Sequence, residues 1–146
     1  MGYLTDGLTF NTLREANKAR LPLFKNSKGE PAHSEPDGSD WSPSQWLQAV
    51  TGELGEYANL RKKFERGDID QDAFDKEARK EIADIQIYLD ILAFRLGINL
   101  GEAVKDKFNE VSDRIKCPIY IGSDGDWHRH SESEMRDKEI GKVIGK

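Results

Sequence analysis

Residues 43–97 read PSQWLQAVTGELGEYANLRKKFERGDIDQDAFDKEARKEIADIQIYLDILAFRLG, and two patterns overlaid in this stretch decide the fold. The first is helix punctuation. Ser42, Pro43 and Gln45 match an N-cap, a proline at the first helical position and a capping-box partner. The helix they open runs to about Arg66, where Gly67 supplies a stop. Asp68 or Asp70 caps a second helix, which is expected to bend or break near Asp75 and to end at Gly97. The second pattern is hydrophobic. Trp46, Ala49, Val50, Leu54, Tyr57, Leu60 and Phe64 recur at spacings of three and four, as do Ile82, Ile85, Tyr88, Leu89, Leu92 and Leu96. Each set is the buried stripe of an amphipathic helix.

Acids interrupt both stripes. Glu53 falls four residues before Tyr57, and Glu56 four before Leu60; Glu81 falls four before Ile85, and Asp84 four before Tyr88. Each helix therefore places two carboxylates, three residues apart, on the side expected to be dry. E-x-x-E spacings alone are ordinary on charged helices, and Glu77/Lys80 and Glu102/Lys105 here are plain surface pairs. Two acid pairs inside two apolar stripes are a different matter, because unpaired carboxylates in a low-dielectric interior are costly and repel one another. A divalent cation removes that penalty. Oxygen-only ligation selects a hard ion, Mg²⁺ or Mn²⁺, over zinc.

Outward from this block, Asn99 and Glu102 open a further helix through about Ile115. Three helices with short connections predict an all-α bundle. Upstream, residues 9–24 hold a short helix ended near Pro22, and residues 25–42, rich in Gly, Pro, Ser and Asp, read as a long loop. Downstream, CPIYI (117–121) is a candidate short strand in an otherwise polar, mobile extension. The expected organisation is one all-α domain over 1–116, with its core at 43–115, and an extension over 117–146.

Composition narrows the classes. The 146 residues carry 22 Lys plus Arg against 27 Asp plus Glu, a net charge of −5, which disfavours a nucleic-acid binder working by a basic face. No apolar run approaches the ~20 residues of a membrane span, and MGYLTDGLTF lacks a basic-then-apolar targeting pattern, so a cytoplasmic protein is expected. One cysteine, Cys117, excludes an intrachain disulfide and any multi-cysteine metal site. His33, His128 and His130 all lie outside the long helices, which rules against the Glu-x-x-His sites of di-iron bundles. The alternating Asp68, Asp70 and Asp72 fail as a calcium loop, since Ala73 stands where glycine is required and Arg79 where a bidentate glutamate is required. The H-x-H of the tail is expected to be solvated.

With the acids in place, the chain resembles the MazG-like, all-α nucleoside triphosphate pyrophosphohydrolases. The resemblance rests on GELGEYANLRKKF followed by EIADIQIYLDILAFRLGINL, that is, E-x-x-E, a spacer and E-x-x-D, with KFNEVSDR similar to the family's last helix. It spans roughly residues 43–115, and the W-S-P-x-x-W lead-in looks like that of the small stand-alone forms of phages and bacteria. The resemblance implies that Glu53, Glu56, Glu81 and Asp84 ligate Mg²⁺. It also implies an assembly of two or four copies and hydrolysis of the α–β anhydride of a nucleoside triphosphate to monophosphate and pyrophosphate. Oligomerisation is independently expected, because so few amphipathic helices leave apolar stripes uncovered. Either Glu53 or Glu56 can serve as general base.

Supporting roles follow from chemistry. Tyr88, one turn beyond Asp84, can contact a phosphate or simply pack. Lys62, Lys63, Lys107, Asn109 and Arg114 are candidate phosphate contacts, with solvated surface charge as the plain alternative for the cations. Trp41, in the loop, is the better candidate for stacking on a base, since Trp46 sits on the core stripe. Asp90 is expected at an edge or interface and Asp113 on the surface. The expected substrate is a canonical or modified deoxynucleoside triphosphate, with purine forms such as dGTP favoured by the phage-like lead-in. Two alternatives stand beside it: phosphoribosyl-ATP as substrate, and a helical module that binds nucleotide without turnover.

Overall fold

The computed structural model describes residues 7–144. Residues 1–6, inspected above for a targeting pattern, and the last two residues of the extension lie outside the described residues. The chain is mostly helical, with one two-stranded hairpin, and it divides into two compact units, residues 1–100 and 101–146. The boundary therefore falls at the start of the fourth helix, where the sequence places it at 116/117. Among the described residues no helix is long and apolar enough to cross a membrane.

In the first unit, helix α1 (Phe10–Arg20) is capped by the Thr9 hydroxyl, which accepts from Thr12 N at 3.0 Å. A single 3₁₀ turn over Leu21–Leu23 follows, with Pro22 inside it. Helix α2 (Pro43–Glu65) opens with the expected capping box. The Ser42 hydroxyl accepts from Gln45 N at 3.2 Å, while Ser42 N donates to Gln45 Oε1 at 2.8 Å. Gly67, at φ +78°, lets the chain turn out of α2. Asp70 caps helix α3 (Gln71–Arg95) by accepting from Ala73 N at 2.8 Å. The expected break at Asp75 does not occur. That residue is interior to one continuous helix and accepts from Gln71 Nε2 at 2.7 Å. The five-residue connection makes α2 and α3 an antiparallel hairpin, and α3 also packs against α1.

The buried core of this unit is Leu21, Trp46, Phe74, Ile91 and Ala93. Three residues assigned above to the inward stripes, Leu54, Ile82 and Leu96, are instead about half exposed. The stripe on each helix is wider than its one or two intrachain neighbours can cover. Asp90 is also relocated. It is 1% exposed, and Arg14 Nε (3.1 Å) and Asn17 Nδ2 (2.9 Å) donate to its carboxylate, so it fastens α1 to α3.

The 25–42 segment is ordered by its own polar side chains. Asn26 Oδ1 accepts from the backbone of Lys28 and Glu30, and Trp46 Nε1 donates to Gly38 O at 3.0 Å. Gly38 sits at φ +70° with the Trp46 ring against its Cα, so a side chain there meets both strain and contact.

The second unit holds α4 (Leu100–Arg114), a hairpin of β1 (Ile119–Ile121) and β2 (Trp127–Arg129), and α5 (Glu132–Ile144). The strand predicted at CPIYI is present; its partner and α5 were not foreseen. Ion pairs Lys116–Glu139 (2.8 Å) and Lys138–Asp113 (3.2 Å) tie α5 to the end of α4, which places Asp113 on the surface as expected.

Candidate metal and nucleotide site

Helices α2 and α3 present their acids to each other because each pair recurs at i and i+3 and the two helices pack along their lengths. Carboxylate oxygens of Glu53, Glu81 and Asp84 all lie within 4.8 Å of one another. All three residues are half-buried, whereas Glu56 is exposed, so the acid face is only partly dry in the single chain. Burial, then the charges of Glu56, Asp84 and Glu81, hold the Glu53 carboxyl above the usual glutamate range. Glu81 is raised by burial first, then by the charges of Glu56 and Asp84. Glu56 thus stands at the edge of the trio, lining one cavity with Glu81.

This donor set fits a hard cation. Mg–O bonds of about 2.1 Å put two ligand oxygens at most ~4.2 Å apart across the ion, so modest side-chain rotation closes the trio around one. All the donors are carboxylate oxygens, with no nitrogen or sulfur among them.

Around the acids, other candidate residues take different places. Tyr88 is half-buried against the core, and burial, with the charges of Glu53 and Asp84, raises its phenol above the usual range. Its hydroxyl therefore stays protonated and able to donate. Lys63 lines a cavity of 350 Å³ together with Glu56, Asn59, Leu60, Glu77 and Glu81, which sets an ammonium beside the acid cluster. Lys62 is exposed and does not line that cavity.

Lys107, Asn109 and Arg114 lie on α4, in the second unit. There Lys107 pairs with Glu110, and Arg114 lines a 510 Å³ cavity with Lys116, Lys138 and Lys142. Asn109 is occupied at both ends of its carboxamide, donating to Ile121 O at 2.9 Å and accepting from Ile121 N at 2.8 Å. Those bonds make it a brace for the hairpin.

Trp46 is wholly buried and its indole N–H is committed to Gly38, so it packs and cannot offer a face to a base. Trp41 is half-buried and keeps that option. Its ring centroid lies 4.5 Å from His33 and 4.8 Å from Trp46, and His33 lies 4.6 Å from Phe24. The sequence places His33 only as a residue outside the long helices. Its place in this aromatic group depends on a bend at φ +40° that no local pattern announces. Its Nε2 is buried without a hydrogen-bond partner, and burial, partly offset by Asp40, lowers its pKa, so the ring is neutral at pH 7.

Comparison with family models, curated proteins and solved structures returned no match to this chain. The functional case therefore rests on the residues themselves.

Proposed function

We propose that the chain is a Mg²⁺-dependent nucleoside triphosphate pyrophosphohydrolase, converting a deoxynucleoside triphosphate to the monophosphate and pyrophosphate. The observation that carries the proposal is the convergence of Glu53, Glu81 and Asp84 from two helices onto one point. Three carboxylates held that close, with two of them pushed toward the protonated form, are a poor structural device and a good cation site.

Glu53, Glu81 and Asp84 would hold the ion, which when bound screens the phosphates and acidifies a water for attack on the α-phosphorus. Glu56 lies outside the trio and is the carboxylate left to take that water's proton. As the new P–O bond forms, the bond from the α-phosphorus to the α–β bridging oxygen breaks and pyrophosphate departs. Lys63 faces the same cavity and supports the departing charge, and the Tyr88 hydroxyl donates to a phosphate oxygen. Trp41 provides the stacking surface for the base. Two or four copies would bury the apolar faces that α2 and α3 leave open, Leu47, Leu54 and Ile82 among them.

Pyrophosphate release from a panel of deoxynucleoside triphosphates and phosphoribosyl-ATP, with Mg²⁺, tests the proposal. Turnover should appear with at least one of the deoxynucleotides, dGTP among them, and Glu53→Gln should reduce it by a factor of about 10² or more. Turnover of phosphoribosyl-ATP alone would redirect the substrate. Nucleotide binding without product would make the chain a binding module, and an unaffected Glu53→Gln would remove the assigned site.

A further inference from the structure

We propose that Arg20 binds the α-phosphate, the one next to the sugar, and that Asn17 and Asp90 are the pair that positions it. The proposal rests on the nucleotide reading above and adds a residue that no motif singles out.

Arg20 ends α1, and its side chain is held on two sides. One terminal nitrogen donates to Asn17 Oδ1 at 3.4 Å, and the guanidinium lies over the Phe24 ring, 5.6 Å from its centroid. Asn17 is 2% exposed, and its Nδ2 donates to Asp90 Oδ2 at 2.9 Å and to Ile87 O at 3.3 Å. A hydrogen-bonded chain therefore runs from Asp90 on α3, the helix that carries Glu81 and Asp84, through Asn17 to the Arg20 guanidinium. An exposed arginine does not need such support merely to meet solvent. Among the described residues Arg20 forms no ion pair with a carboxylate.

Its location sets the part of the ligand it meets. Phe24, beneath the guanidinium, packs tilted against His33, and His33 against Trp41, so Arg20 stands at the margin of the surface offered to a base. On the other side, Tyr88, one turn beyond Asp84 on α3, packs on the same Leu21, Trp46 and Ile91 core as Phe24 and Trp41. A group lying between the base and the acid cluster is the first phosphate. The second and third belong further along α2, toward Lys63, two turns beyond Glu56. A planar fork is suited to grip two oxygens of that first phosphate, whereas Lys63 acts as a point charge.

The test is calorimetric binding of deoxynucleoside monophosphates and, separately, of pyrophosphate, each with Mg²⁺, to wild type, Arg20→Gln and Arg20→Lys. Arg20→Gln should bind monophosphate about ten- to a hundredfold more weakly, as expected for losing a charge-assisted hydrogen-bonded pair. Arg20→Lys should fall between, and pyrophosphate should bind all three within about twofold. Thermal melts show whether the variants are folded; if Arg20→Gln is not, Arg20→Lys, which keeps the charge at the end of α1 but not the fork, carries the comparison. Equal monophosphate binding in variant and wild type overturns the proposal, as does equal weakening of both ligands or a wild type that binds no monophosphate. A wild type that binds monophosphate through Arg20 yet releases no pyrophosphate from any triphosphate instead refutes the assigned reaction and leaves the Arg20 assignment standing.

Discussion

Three carboxylates that share a small volume must be unstable neighbours until something positive arrives, and this sets the pH behaviour of the protein. Glu53 and Glu81 bind protons more tightly folded than unfolded, where the reference value is 4.5. Their contribution to the stability of the chelator-treated protein should therefore be fully present below that value and be lost as pH rises through the raised folded values. Glu81→Gln in chelator should melt a few degrees above wild type at pH 7.5 and level with it near pH 4; a gap that ignores pH would contradict the electrostatic account. His33 has the opposite sign. Its pKa is lowered, so stability is present at neutral pH and is lost as pH falls through the unfolded value of 6.5. His33→Asn, which suits the positive φ, should flatten the melting curve's dependence on pH between 7.5 and 5.5. Asp90 is a third case. Removing it leaves Arg14, 17% exposed, without its carboxylate, so Asp90→Ala should destabilise the protein by about 3–5 kcal/mol in denaturant titrations.

At the scale of elements, the caps were legible because they are local. Ser42, Pro43 and Gln45 write the start of α2 within four residues, and Asp70 and Gly97 do the same for α3. The acid positions were legible for the same reason, since a helix converts spacing directly into a face. What the sequence hid depends on contacts between distant segments. Asp90 looked peripheral because its partners, Arg14 and Asn17, lie more than 70 residues away. Asn109 looked available for a phosphate because Ile121, which occupies it, belongs to a hairpin whose second strand has no alternating apolar pattern. The 25–42 segment looked featureless, yet the Gly38 carbonyl receives the Trp46 indole. Trp46→Phe should cost about 0.5–1.5 kcal/mol in denaturant titrations, because it removes one of two donors to that carbonyl and leaves Trp41 N at 3.3 Å as the other, with little loss of ring packing.

For the molecule as a whole, the apolar surface is the outstanding feature. Thirteen large hydrophobic residues are exposed among the described residues, against four that are buried, Leu21, Trp46, Phe74 and Ile91. Leu47 and Leu54 stand two turns apart on α2, so they share a face. If copies associate through that face, sedimentation equilibrium should give two or four times the chain mass of 16.6 kDa, and Leu54→Glu should lower it; a wild type at the chain mass would refute the assembly. The acid site belongs to α2 and α3 of one chain, so cation binding should survive in that variant. Everything proposed about the reaction depends on the acids taking a hard dication. Mn²⁺ binding followed by electron paramagnetic resonance measures this directly, with Mn²⁺ standing in for Mg²⁺. Wild type should bind Mn²⁺ saturably, Mg²⁺ should compete, and a Glu81→Gln, Asp84→Asn double variant that remains folded should bind at least tenfold more weakly. Wild-type protein that leaves Mn²⁺ free in solution, or a double variant that binds it as wild type does, would contradict a cation site at these acids.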